Sequence, residues 1–204
     1  APVPMLTTNT VGPTIMNFGT DAQKRFFLPK IIKGEIHFCI GYTEPGAGTD
    51  LAALQTKAVR DGDEYVINGQ KIFTSLASDA DYCWLAVRTN SEVKKHKGIS
   101  MIIVPMDTPG IEVQPMDLIS DHDINTVYYN DVRLPAENLV GGEDNGWTLI
   151  TNKLNHERVT ICSSGQVEQT YKDVRRWAQE TKMADGRRVI DHDWVQTNLA
   201  RVHP

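Results

Sequence analysis

The stretch Tyr42-Thr43-Glu44-Pro45-Gly46-Ala47-Gly48-Thr49-Asp50 concentrates the most ligand-like chemistry of the chain. Gly46 and Gly48 allow backbone N–H groups to come close to a ligand, and Thr43 and Thr49 add hydroxyls, a combination suited to phosphate or to the polar edge of a ring. By glycine content alone the same residues also describe an ordinary tight turn between strands. Asn155-His156-Glu157-Arg158 offers a carboxylate beside a guanidinium. On its own that pair reads as a helix-surface ion pair of little energetic weight. Lys94, Lys95 and Lys97 could meet phosphates by charge attraction, or form a solvated loop. Asp121-His122-Asp123 makes a polar turn whose His–acid spacing is weak evidence for a metal.

The elements that would carry these residues change period twice. Apolar positions recur at helical spacing from Asp21 to Lys33, with Asp21 as N-cap and Gly34 as C-cap. Upstream, Gly12-Pro13 predicts a turn before a short helical segment. From Ile36 to Leu139 the chain reads as short strands, with Asp61-Gly62-Asp63 and Asn68-Gly69 as successive turns of a meander and Asn68-Gly69 a strong hairpin signal. Their regular spacing suggests a small barrel or sandwich. After Gly141-Gly142 the period is helical again: Trp147, Ile150, Leu154, Val159 and Ile161 line one side of a long helix reaching toward Gln179. Gly186 breaks it, and Asp191 caps a last helix. The expected class is α+β, with residues 1–35 the end of a helical domain, 36–140 a β-domain and 141–204 the start of a helical bundle.

Composition narrows the function classes. The chain has 204 residues, a formal net charge of -5 and an ordinary balance of 40% hydrophobic to 23% charged residues. It is long enough for a real core. The acidic balance argues against a nucleic-acid partner, and no apolar run approaches membrane-spanning length. Cys39, Cys83 and Cys162 are scattered without a CxxC pair, which suits free thiols in a reducing compartment.

TEPGAGTD, followed in order by GDEYVINGQK, KGISMIIVP, YNDVRLPAENLVG and NHERV, resembles the acyl-CoA dehydrogenase family across nearly the whole chain. GTDAQKRFFLP, DYCWLAVRTN, TNKLNHERV and WVQTNLARVH are similar to actinobacterial members linked to steroid side-chain degradation. The resemblance implies the end of the family's N-terminal helical domain, its middle β-domain and the start of its C-terminal bundle. It implies FAD as cofactor, an acyl-CoA thioester as substrate and an electron-transfer flavoprotein or similar acceptor as partner. A bacterial cytoplasm is the expected compartment; the mitochondrial matrix houses other members of the wider family.

Residue by residue, the resemblance places Tyr42 and Thr43 beside the flavin pyrimidine, and Gly48 and Thr49 at the FAD pyrophosphate and the pantetheine entrance. Phe73-Thr74-Ser75 matches the strand stacked over the isoalloxazine, with Phe73 where a tryptophan is usual and Ser75 near flavin N5. Glu157 matches the position used by a minority of the family for the catalytic base. Desolvation beside the flavin would raise its pKa toward working pH. Arg158 is expected beside the thioester or the base.

Two stretches depart from the family pattern. Thr181 to Arg187 lacks the Arg and Phe of the family's Arg-x-x-Phe-Gly sequence, which reaches a neighbouring subunit's FAD, and Leu118 to Asp123 lacks a Gly-x-Arg stretch. The first implies a second, different acyl-CoA dehydrogenase subunit in an α2β2 assembly, with a homotetramer as the alternative. An acyl-CoA oxidase-like enzyme and a non-catalytic partner chain remain competing readings.

Overall fold

The computed structural model describes residues 5–119, 123–161 and 164–203, except for the side chains of residues 156–161. It resolves two compact units, residues 1–157 and 158–204.

The first unit begins with a π-helical turn, Thr7–Val11, that runs directly into helix α1 (Gly12–Phe18). Gly12-Pro13 therefore does not turn the chain: the helical backbone runs through it, with Gly12 N donating to the Thr7 carbonyl. Helix α2 (Asp21–Lys33) is capped by Thr20, not by Asp21. Thr20 Oγ1 accepts from Gln23 N at 3.2 Å and Gln23 Oε1 accepts from Thr20 N at 3.0 Å. This reciprocal pair satisfies two exposed helix donors at once. Gly34 closes α2 at φ 69°, as expected for a left-handed cap.

Eight strands follow: β1 (Phe38–Gly41), β2 (Lys57–Asp61), β3 (Glu64–Ser75), β4 (Tyr82–Arg88), β5 (Ile99–Pro105), β6 (Ile111–Pro115), β7 (Ile124–Pro135) and β8 (Leu139–Val140). They form one mixed sheet in the order β6-β7-β3-β2-β4-β5-β8, with β1 parallel to β4. The turn expected at Asp61-Gly62-Asp63 forms, joining β2 to β3. Asn68-Gly69 instead sits inside β3 at a bulge against β7. There the Asn68 side chain bonds both the N–H and the carboxylate of Asp131, which has φ 50°. A β-carbon on Gly69 would come within 2.6 Å of the Thr56 backbone, so this glycine serves close strand packing.

β4 and β5 are buried on both faces, which explains their unbroken apolar runs. Trp84, Met101 and Ile103 pack against Val11, Ile15, Phe27, Leu149 and Ile150 of the helices. Cys83, Leu85, Ile102 and Val104 face Tyr65, Ile67, Val127, Tyr129 and Val132 of β3 and β7.

Helix α3 (Gly146–Ile161) leaves the sheet with Leu149, Ile150 and Lys153 fully buried. The other unit contains helix α4 (Ser164–Glu180) and helix α5 (Asp193–Val202) around Ala178, Val189 and Val195. Asp191 does not cap α5; its carboxylate takes both Arg188 nitrogens at 3.1 Å, and His192 occupies the cap position without a side-chain bond.

Candidate functional site

The Tyr42–Asp50 loop leaves β1 and is fastened from below by a buried ion pair. Lys71, on β3, is fully buried, and its Nζ donates to Glu44 Oε1 at 2.7 Å and to the Tyr42 carbonyl at 3.1 Å. The Glu44 carboxylate also accepts from Gln55 N at 2.6 Å and Thr56 N at 2.9 Å. Burial pushes the Glu44 carboxyl up, but the Lys71 charge and the hydrogen bonds outweigh it and hold Glu44 below the usual carboxylate range. Glu44 and Ala47 exchange backbone hydrogen bonds of 3.1 and 3.0 Å, which closes the loop tip. A bond of 2.9 Å from Ile72 N to the Thr43 carbonyl sets the loop directly beside β3.

Tyr42 is held on all sides. Its ring is buried, its hydroxyl accepts from Trp84 Nε1 at 3.2 Å, and the Lys153 ammonium lies 4.5 Å from the ring centroid. Gly46, Gly48 and Thr49 are exposed. Neither glycine has a left-handed φ. A β-carbon on Gly46 would meet nothing within 4 Å, and one on Gly48 only Thr43 Cγ2 at 3.9 Å. The chain's own packing thus requires glycine at neither position.

Beside this loop, β3 bulges at Ile72-Phe73 against β7. Phe73 adopts φ 58° with its ring 59% exposed, and Leu76 adopts φ 61° at 42% exposure. Bulky residues in left-handed backbone are outliers that persist where surrounding structure overdetermines them. The result is a flat aromatic face presented outward next to the polar loop. Thr74 Oγ1 is buried without a hydrogen-bond partner among the described residues, while Asn125 Nδ2 donates to the Thr74 carbonyl at 3.2 Å. Ser75 ends β3 opposite Ile124 and is partly buried. The residues from Tyr42 to Thr49 and from Phe73 to Ser75 are thus brought together, as a polar loop flanking an exposed ring.

Residues 157 and 158 lie in α3, one helical turn beyond the buried Lys153. The side chains of Glu157 and Arg158 fall outside the described residues, as do Asp121 and His122. Among the described residues no group of three His, Cys, Asp or Glu side chains could hold a metal ion, and no helix is long and apolar enough to cross a membrane. Cys39 and Cys83 are free and buried. In the lysine loop, Lys95 pairs with Asp50 while Lys94 and Lys97 are exposed. Arg88 donates to the carbonyls of Ala52, Leu54 and Lys95, which ties this loop to the segment after Asp50.

Glu44, Lys71 and Lys153 do not stand out as site residues in the sequence. A signal was present for both lysines: each occupies a core-facing position, one in a strand and one three residues after Ile150 in an apolar helical stripe.

Residues 39–132 match the acyl-CoA dehydrogenase middle domain, and residues 144–203 the acyl-CoA dehydrogenase C-terminal domain. Acyl-CoA dehydrogenase FadE26 of Mycobacterium tuberculosis is 59% identical over 206 residues, covering 100% of this chain and 52% of that protein. The crystal structure of the ChsE4-ChsE5 complex from Mycobacterium tuberculosis superposes with a TM-score of 0.89 at 59% identity, over 100% of this chain and 53% of that one. The Tcur3481-Tcur3483 steroid ACAD gives a TM-score of 0.89 at 50% identity, over 97% of this chain and 50% of that one. The chain thus spans about half the length of the relatives it matches. With its middle and C-terminal domains both matched and its β-domain and helices superposing on solved members, the chain belongs to the acyl-CoA dehydrogenase family.

Proposed function

We propose that the full-length protein is an FAD-dependent acyl-CoA dehydrogenase subunit that converts an acyl-CoA thioester to the trans-2-enoyl-CoA. The preferred substrate carries a steroid side chain, with a straight-chain fatty acyl-CoA as the alternative. The observation that carries this reading is the rigid polar loop of Tyr42–Thr49 beside the outward-facing Phe73. Open space over Gly46 and Gly48 and the orphaned Thr74 hydroxyl suit a flat, polar-edged ring with a phosphate tail.

In this reading the backbone at Tyr42 and Thr43 meets the flavin pyrimidine, Gly48 and Thr49 lie at the pyrophosphate, and Phe73, Thr74 and Ser75 cover the ring. Bound FAD would supply the hydride acceptor for the substrate β-carbon. Glu157 takes the α-proton of the thioester, and Arg158 stays beside the thioester or the base. The β-domain encloses the reacting atoms and excludes water, which raises the basicity of a carboxylate there. Domain limits of 1–35, 36–140 and 141–204 belong to the same reading. So do a bacterial cytoplasmic location and reoxidation by an electron-transfer flavoprotein.

Phe73 offers a test of the stacking role. Phe73→Gly removes a left-handed backbone cost of about 1–3 kcal/mol together with the ring. The apoprotein's thermal midpoint is expected to hold or rise while FAD affinity, measured by fluorescence titration, falls. Phe73→Trp keeps the affinity. Unchanged affinity in Phe73→Gly would remove Phe73 from the flavin site.

An α2β2 assembly with a second, different subunit is supported by the absent Arg and Phe between Thr181 and Arg187, and by the heteromeric relatives. That segment forms a closed turn, with Met183 N donating to the Arg187 carbonyl at 2.9 Å. The flavin-to-chain ratio of the full-length protein, co-purified with its partner, decides the matter. About one FAD per two different chains is expected from a division of labour between subunits. One FAD per chain in a homotetramer contradicts it.

A further inference from the structure

Two fully buried lysines converge on Tyr42 from different elements. Lys71 of β3 donates to its carbonyl at 3.1 Å, and Lys153 of α3 places its ammonium 4.5 Å from the ring centroid. Lys71 has a carboxylate for a neighbour, Glu44 at 2.7 Å, and its task is to hold the loop. Lys153 meets the same residue at its ring. It stands four residues after Leu149 and three after Ile150, both fully buried, on the packed side of α3. An ammonium in a core is costly unless something compensates its lost hydration. A leucine there would fill the helix seam without that cost. The electron-rich face of an aromatic ring is a directional partner for a cation, and more so when both are shielded from water. The tyrosine is itself fixed: Trp84 Nε1 holds its hydroxyl at 3.2 Å, and its carbonyl is taken by Lys71. Lys153 therefore grips a ring that cannot shift, at the root of the loop whose tip is Glu44 to Ala47.

We propose that the Lys153–Tyr42 contact is the clasp that sets helix α3 against the Tyr42–Thr49 loop, making Lys153 a positioning residue for the reaction. Residue 157 lies one helical turn further along α3. The clasp fixes the distance of that turn from the loop, which a merely greasy helix seam, free to slide, would not do. This inference rests on the proposed flavin site but makes a separate demand: Lys153 and Tyr42 act as a unit.

The test uses the full-length, FAD-loaded protein in a double-mutant cycle of Lys153→Met, Tyr42→Leu and the combination, with Lys153→Arg as the charge-keeping control. Misplacement of a reacting group by about 1 Å costs on the order of 100-fold in rate. Lys153→Met is therefore expected to lower kcat by about 10- to 100-fold while KM changes little. Lys153→Arg recovers most of the loss. In the Tyr42→Leu background Lys153→Met costs far less, because the ring it would have released is already gone. The same non-additivity appears in the thermal midpoint of the apoprotein, a readout independent of turnover. If Lys153→Met does not fold, Lys153→Gln replaces it as the uncharged variant of similar length. Additive effects of the two substitutions, or a loss confined to KM, would overturn the clasp. A wild-type rate in Glu157→Gln would sink the assignment of the base and leave the coupling between Lys153 and Tyr42 standing.

Discussion

Glu157→Gln in the full-length, FAD-loaded protein is expected to lower turnover by about 10²–10⁴-fold, the usual contribution of a positioned proton acceptor, if the proposed base is Glu157, while the flavin content stays unchanged. Glutamine keeps the size and polarity of the side chain and removes only the basic oxygen. The α-proton of a thioester is weakly acidic, so hydride departure from the β-carbon depends on a base already in place. A carboxylate desolvated in a closed pocket gains basicity, whereas one on a wet helix surface does not. Steady-state turnover together with visible absorbance checks the prediction. Turnover equal to the wild type would move the base elsewhere in the full-length protein and make Glu157 a surface ion-pair partner of Arg158. The flavin-loop assignment would be untouched.

Lys71→Met is expected to cost about 3–5 kcal/mol of stability, because it leaves the Glu44 carboxylate buried without its cation. Methionine fits the volume, so little of the loss comes from packing. Gln55 N and Thr56 N still donate to Glu44, and two neutral donors do not replace a full charge. Replacing both partners with apolar residues recovers only part, since those two N–H groups then lose their acceptor. Acid sensitivity is the accompanying signature. The folded-state pKa of Glu44 is depressed below its unfolded value of about 4.3. The stability it contributes is therefore fully present above that value and is lost as pH falls through the folded pKa. Urea melts at neutral and acid pH should show this acid loss in the wild type and its reduction in Lys71→Met. A loss under 1 kcal/mol would mean that the loop is held by its backbone bonds alone. If the loop meets flavin as proposed, FAD content should fall with stability, because the ion pair holds the loop in shape.

Local physics made much of the β-domain legible in the sequence. The apolar runs of β4 and β5 reflect burial on both faces, and Gly34 closes its helix as its type requires. Where the reading failed, longer-range contacts overrode a local signal. Asn68-Gly69 has hairpin chemistry, but its glycine is needed so that Thr56 can pass, and β3 continues through it. Asp21 and Asp191 are good caps in isolation. Thr20 forms a reciprocal box with Gln23, and Arg188 captures Asp191, so neither aspartate is used. β6 was not legible, because its half-exposed pattern follows from its place at the sheet edge. The buried lysines were passed over for a different reason: their positions in the strand and helix patterns are core-facing, but lysine is ordinarily a surface residue. Family motifs identified the loop, and the mechanical parts that hold it emerged only from packing.

In the proposed function this loop and bulge form part of a working flavin site that oxidises CoA thioesters. Its most direct test is anaerobic addition of a steroid side-chain CoA thioester to the full-length, FAD-loaded protein, followed through the visible flavin absorbance. Rapid bleaching with formation of the enoyl-CoA is the predicted result, slowed in Glu157→Gln and in Lys153→Met. A flavin that stays oxidised with this thioester, and with a straight-chain acyl-CoA in parallel, would contradict the account and leave the chain a non-catalytic partner.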